Sequence, residues 1–232
     1  MKLLLTSNGV TNGSIRTALV ELLGKPIAQA EAVCVPTGIY AMPGGGSYAW
    51  QGLREVDGLG WRGFGLLELT ALPSIGEGHW MPSVEAAEAI VVGGGITPYL
   101  SYWMQESGFA ERLPGLLEDR VYVGASAGSM VMSPGLNVDR EELERTGVYN
   151  DDEYDDPAPP GAGSDQGLGL VDFAVRPHLN SGDFPDADLA TMAGWAAKLD
   201  VSTYAIDDET AIKVVDGEVE VVSEGEWRLF ER

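Results

Sequence analysis

A serine nucleophile asks three things of a chain. Its hydroxyl must be held clear of the backbone, a base must lie within reach of its proton, and donors must point at the charge that develops. The stretch Arg120–Pro134, R-V-Y-V-G-A-S-A-G-S-M-V-M-S-P, offers the first of these. Within it Gly124-Ala125-Ser126-Ala127-Gly128 fits G-x-S-x-G, the pattern of a sharp strand-to-helix turn that exposes a serine Oγ. The four neighbours of Ser126 are all Gly or Ala, as a turn requires where chain and substrate come close. A helix starting at Ser126 would aim backbone N–H groups at that charge. A plain Gly/Ala-rich turn would look the same, so the pattern needs partners.

The search for a base is short, because the chain has two histidines. His178 ends F-A-V-R-P-H, which reads as a strand over Val171–Pro177. It is expected at the sheet edge that also carries Ser126 and Gly93–Gly95. His79, in G-E-G-H-W-M-P, is expected in a loop. Gly93-Gly94-Gly95 lacks both the G-x-G-x-x-G spacing and the lysine of a phosphate cradle. Backbone amides at Gly95 and Ala127 could instead flank an oxyanion beside Ser126; a tight strand-to-helix turn fits that spacing equally well. There is no Cys/His cluster and no H-E-x-x-H, so neither a metal nor another cofactor is expected.

Strands and helices must alternate to position these residues. Leu3–Thr6, Ala30–Val35, Gly65–Leu72, Ala89–Val92 and the run at Val121 read as strands. A helix through Ile15, Leu19, Leu22 and Leu23, capped by Asn12 or Ser14, closes at Gly24. Thr37–Gln51 reads as a loop with at most a short final helix, and further helices fall at Val84–Glu88, Tyr99–Glu106, Phe109–Leu117 and Asp186–Leu199. Residues 146–167, dense in Asp, Pro and Gly, read as a mobile acidic loop. Tyr204–Ile206 and Ala211–Val215 are strands, and Asp216-Gly217 turns a C-terminal hairpin. This order argues one α/β domain over 1–232, with a mostly parallel sheet covered on both faces.

Composition narrows the partners. The chain has 232 residues, with 14 Lys and Arg against 36 acids, a formal charge of −22. Nucleic acid and anionic membrane would be repelled. The single cysteine, Cys34, lies in A-V-C-V-P and reads as a packed thiol. The N-terminal apolar run is too short for a signal peptide, so a soluble cytoplasmic protein is expected.

Four segments in order, V-V-G-G-G-I-T-P-Y-L, V-G-A-S-A-G-S-M, G-L-G-L-V-D-F-A-V-R-P-H and A-I-D-D-E-T-A-I, resemble the peptidase E and cyanophycinase family of serine peptidases. The likeness runs from Lys2 to about Ile212. It implies a flavodoxin-like three-layer α/β sandwich related to class I glutamine amidotransferases, with serine in place of their cysteine. It implies Ser126 as nucleophile, His178 as general base, and the amides of Gly95 and Ala127 as the oxyanion hole. For the third triad member it offers Asp208, in I-D-D-E-T, and alternatively Glu141; Asp208 is preferred.

The expected substrate is a small, dipeptide-like peptide. The alternatives are a cyanophycinase-like isopeptidase acting on arginine-bearing chains and a non-catalytic small-molecule-binding member. Two departures bear on specificity. Ile96 stands where the family has Asn after the three glycines. From Leu179 to Ala197 there is no Lys or Arg, only Asp183, Asp186 and Asp188. Those acids, and the acidic run 151–156, are expected to disfavour an acidic substrate side chain.

Overall fold

The computed structural model describes residues 1–136, 138, 140–151, 154–159 and 161–232. Its elements in chain order are β1 (Lys2–Thr6), α1 (Gly13–Leu23), β2 (Glu31–Val35), α2 (Gly45–Asp57), β3 (Gly63–Leu66), α3 (Glu77–Ala86), β4 (Ala89–Val92), α4 (Thr97–Glu106) and α5 (Phe109–Leu116). There follow β5 (Val121–Ala125), α6 (Ala127–Met130), α7 (Arg140–Thr146), β6 (Asn150–Asp151), β7 (Tyr154–Pro157), β8 (Ala174–Arg176), α8 (Leu189–Ala197), β9 (Thr203–Ile206), β10 (Thr210–Val215), β11 (Glu218–Ser223) and β12 (Trp227–Phe230).

The main sheet has the order β11-β10-β1-β5-β4-β2-β3. The strands from β1 to β3 in that order pair in parallel, and the β10–β11 hairpin adds an antiparallel edge. Strand β1 reads as an unbroken apolar run because both its faces are covered. Leu3 and Leu5 join one cluster with Val33, Val92, Leu100 and Phe109. Leu4 joins the opposite one with Ile15, Leu19, Val91 and Val123. Helix α1 starts where the Asn12 side chain accepts the Ile15 N–H at 2.9 Å, and stops where Gly24 turns left-handed at φ 68°.

Several boundaries differ from the sequence reading. Thr37–Gln51 is not a loop: a 3-10 helix spans Thr37–Ala41, and α2 runs on to Asp57. Two of the glycines in this stretch are there for packing: a Cβ at Gly45 would lie 1.9 Å from the Ile39 carbonyl oxygen, and one at Gly38 would lie 2.9 Å from that of Gly94. Strand β3 ends at Leu66, because the chain then bends into a 3-10 helix over Leu69–Ser74, capped by Glu68. Helix α3 begins at Glu77 and carries Pro82 within it, so His79 lies exposed on a helix and not in a loop. Within 146–167, β6 pairs with β7. Among the described residues no helix is long and apolar enough to cross a membrane.

One difference reshapes the site. The strand expected over Val171–Pro177 is only Ala174–Arg176, and it lies in a separate sheet of order β12-β9-β8. There β8 runs parallel to β9. Their carboxyl ends therefore lie side by side. His178 comes two residues after β8, and Asp208 two residues after β9. The chain then enters β10 of the main sheet at once, which carries Asp208 to the end of β1.

Candidate active site

Three neighbouring strands of the main sheet, β1, β5 and β4, end at the site with Ser7, Ser126 and Gly93–Gly95 respectively. Ser126 has φ 49° and ψ −115°, a conformation that costs a non-glycine residue about 1–3 kcal/mol. The surroundings hold it there. Its N–H donates to the Ser7 carbonyl at 2.8 Å and to that of Thr6 at 3.2 Å. Ser129 Oγ donates to the Thr6 carbonyl at 2.7 Å, and the Tyr122 hydroxyl donates to the Gly128 carbonyl at 2.6 Å.

The small flanks have a steric cause. A Cβ at Gly128 would lie 2.2 Å from the Val92 carbonyl oxygen, because the turn is pressed onto β4. A Cβ at Gly94 would lie 3.2 Å from Ser126 Cβ and 3.6 Å from its Oγ. The glycine backbone thus runs alongside the serine. The amides of Gly95 and Ala127 donate to no protein acceptor among the described residues. Helix α6 is a single turn, and Ala127 in it is fully buried. Ile96 is also fully buried and its N–H donates to the Gly38 carbonyl, so its side chain belongs to the core.

His178 is buried and has φ 62°. Its ring stacks on Phe184, with centroids 4.1 Å apart and planes at 19°. Its Nδ1 lies 2.7 Å from Asp208 Oδ1. An ionised carboxylate only accepts, so Nδ1 carries the proton and Nε2 holds the lone pair of the neutral ring. Burial pushes the Asp208 carboxyl up. Hydrogen bonds from His178, Ser7 and Ser181, joined by the charge of the imidazole whenever the ring is protonated, outweigh it and hold the group below the usual carboxylate range. The carboxylate at Nδ1 is Asp208, while Glu141 lies exposed on α7.

Sequence reasoning missed Ser7, which ties these parts together. Its carbonyl accepts from Ser126, its Oγ accepts the His178 N–H at 2.7 Å, and the same Oγ donates to Asp208 Oδ1 at 2.6 Å. Ser181 and Phe184 were missed too; Ser181 Oγ donates to Asp208 Oδ2 at 2.9 Å. The available signal for Ser7 was its place directly after the strand Leu3–Thr6, where Ser7-Asn8-Gly9 reads only as a turn.

Ser126, His178, Gly94 and Gly95 line one cavity of roughly 870 Å3. Asp183 also lines it, whereas Asp188 caps α8 by accepting the Thr191 N–H. Of the acidic run, Asp152 and Glu153 lie outside the described residues, as do the side chains of Asp151, Asp155 and Asp156. Among the described residues, no three His, Cys, Asp or Glu side chains converge so as to hold a metal ion.

The model of peptidase family S51 matches residues 3–222. A peptidase E of Nostoc sp. (strain PCC 7120 / SAG 25.82 / UTEX 2576) is 26% identical over 153 residues, covering 63% of this chain and 57% of that protein. The matched part is thus little more than half the length of that relative. The structure of a candidate peptidase E protein from Listeria monocytogenes EGD-e superposes with a TM-score of 0.68 at 20% identity, over 97% of this chain and 98% of the other. A peptidase from an acI-B1 Actinobacterium gives a TM-score of 0.67 at 18% identity, over 99% and 90%. At such identities these two likenesses concern the fold.

Proposed function

Because the chain belongs to peptidase family S51, we propose that it is a serine peptidase acting through an acyl-enzyme on Ser126. The observation that carries this reading is the 2.7 Å contact of His178 Nδ1 with Asp208, in a histidine that lines the same cavity as Ser126. A carboxylate at Nδ1 fixes the tautomer in which Nε2 accepts a proton.

In this reading His178 Nε2 takes the hydroxyl proton as Ser126 Oγ attacks the substrate carbonyl. The carbonyl oxygen becomes an oxyanion beside the amides of Gly95 and Ala127. The C–N bond breaks, and the amine leaves with the proton from the imidazolium. An ester on Ser126 remains. Water then attacks the ester with His178 again as base, and the acid product and Ser126 hydroxyl are released. Asp208 keeps the ring oriented and offsets its positive charge while the proton is held. The cavity suits a small peptide, since its volume falls within the range of small-ligand pockets, about 300–1,000 Å3.

A library of dipeptides and isopeptides, with products identified by mass, tests the reaction class. Hydrolysis of α-linked dipeptides by wild type, absent in Ser126→Ala, is expected. Turnover confined to isopeptides would replace the dipeptidase reading with the isopeptidase one. Equal turnover in the two proteins would remove Ser126 from the chemistry.

A further inference from the structure

The cavity beside Ser126 has a built interior. Its floor is the sheet face itself. Cys34, Val91 and Val123 all line it, and they form one lateral row across three strands, since Cys34 pairs with Val91 and Val91 with Val123. The Cys34 thiol is pushed up to about 12 by burial, so it presents a small neutral surface. The opposite wall is α2. Tyr48, Ala49, Gly52, Leu53 and Val56 stand at helical spacing and line the cavity together. That face is only partly covered by the protein: Ala49 is buried, Leu53 and Val56 are half-buried, and Tyr48 is 55% exposed.

The charges fall at the edge. The two acids lining the cavity, Glu55 and Asp183, are both exposed. Glu55 also accepts a hydrogen bond from Gln51 at 3.1 Å. No lysine or arginine is among the described lining residues. Arg16, Arg54 and Arg176 are not themselves lining residues, although Arg16 donates to the carbonyl of the lining residue Leu59 at 3.0 Å and Arg54, exposed on α2, lies between the lining residues Leu53 and Glu55. Arg176 lies 5.3 Å over the Trp195 ring. A carboxylate side chain would meet only acids at the entrance and no cation within. A basic one would lose its hydration against apolar walls, for rim acids that are already solvated.

We propose that the space between α2 and the row Cys34–Val91–Val123 is the subsite for the acyl-side residue of the substrate, and that it takes a large apolar side chain such as leucine or phenylalanine. This rests on the serine peptidase reading, and the test separates the two. Wild-type kcat/KM is measured for dipeptides X-Ala with X as Asp, Asn, Arg, Leu and Phe, alongside labelling by a fluorophosphonate. Leu or Phe should exceed both Asp and Arg by about tenfold or more, the usual scale for a matched apolar pocket. Tyr48→Arg, at an exposed position, places a cation in the cavity and should narrow the Leu-to-Asp ratio by about tenfold. Binding of the same peptides to Ser126→Ala gives the preference independently of turnover.

Labelling of Ser126 with Asp or Arg as the best substrate overturns the subsite and leaves the peptidase reading standing. A protein that neither labels nor hydrolyses any of the five removes the peptidase reading. The subsite then stands only if Leu and Phe peptides still bind at least about tenfold tighter than Asp and Arg, and falls if they do not.

Discussion

His178 and Asp208, 30 positions apart, place Nδ1 and Oδ1 at 2.7 Å because each comes two residues beyond the end of one of two adjacent parallel strands. Loops of that length leave little freedom, so the pair is set by the sheet that holds β8 and β9. The main sheet then supplies Ser126 and, through Ser7, the tie between the two halves of the site.

In the proposed mechanism Ser7 acts as a positioning residue. Ser7→Ala leaves the buried His178 N–H without its acceptor, which costs about 1–3 kcal/mol of stability. The imidazole loses its support, and kcat should fall about a hundredfold with KM nearly unchanged. Ser7→Thr keeps a hydroxyl and should recover part of the loss. If kcat survives Ser7→Ala while only the melting temperature falls, Ser7 is structural alone.

Asp208→Asn should lower kcat about a thousandfold or more, since an amide no longer fixes the imidazole tautomer. Stability changes with a definite sign. The Asp208 carboxyl is held below its ordinary range in the folded chain. Its contribution is therefore fully present above the unfolded value, about 3.9, and is lost as pH falls through the lower folded value. The melting-temperature gap between wild type and Asp208→Asn should be present at about pH 5 and shrink as pH falls below about 4. A gap that persists undiminished at the acid end contradicts the assignment.

The histidines give a cleaner contrast. His178→Ala should abolish turnover, whereas His79→Ala, on the exposed face of α3, should leave kcat/KM at wild-type level. Steady-state kinetics on the two variants decides it, and the reverse pattern would move the base to α3.

Gly128→Ala should destabilise the protein by about 1–3 kcal/mol or more, because its Cβ has no room against β4. Denaturant midpoints measure this. An unchanged midpoint would mean that the turn stands farther from β4 than described.

Much of this was legible in the sequence, for physical reasons. The turn at Ser126 announces itself by the small residues that packing on β4 demands, and β1, β4 and β5 by apolar runs covered on both faces. The origin of His178 in a second sheet was not legible, since three residues of β8 carry no signal that separates one parallel sheet from another. The start of helix α2 was hidden by a run of glycines, of which Gly45 serves its close approach to Ile39. Ser7 was hidden because its role lies in contacts to residues far along the chain, and a strand-end serine looks like any turn residue.

In the proposed mechanism everything turns on Ser126 as the nucleophile. The direct measurement is the intact mass and peptide map of the protein after reaction with a fluorophosphonate. A single adduct is expected on the peptide carrying Ser126 in wild type, with slower labelling in His178→Ala and none in Ser126→Ala, and hydrolysis lost in step. An adduct on another residue, or peptide hydrolysis that persists in purified Ser126→Ala, would contradict it.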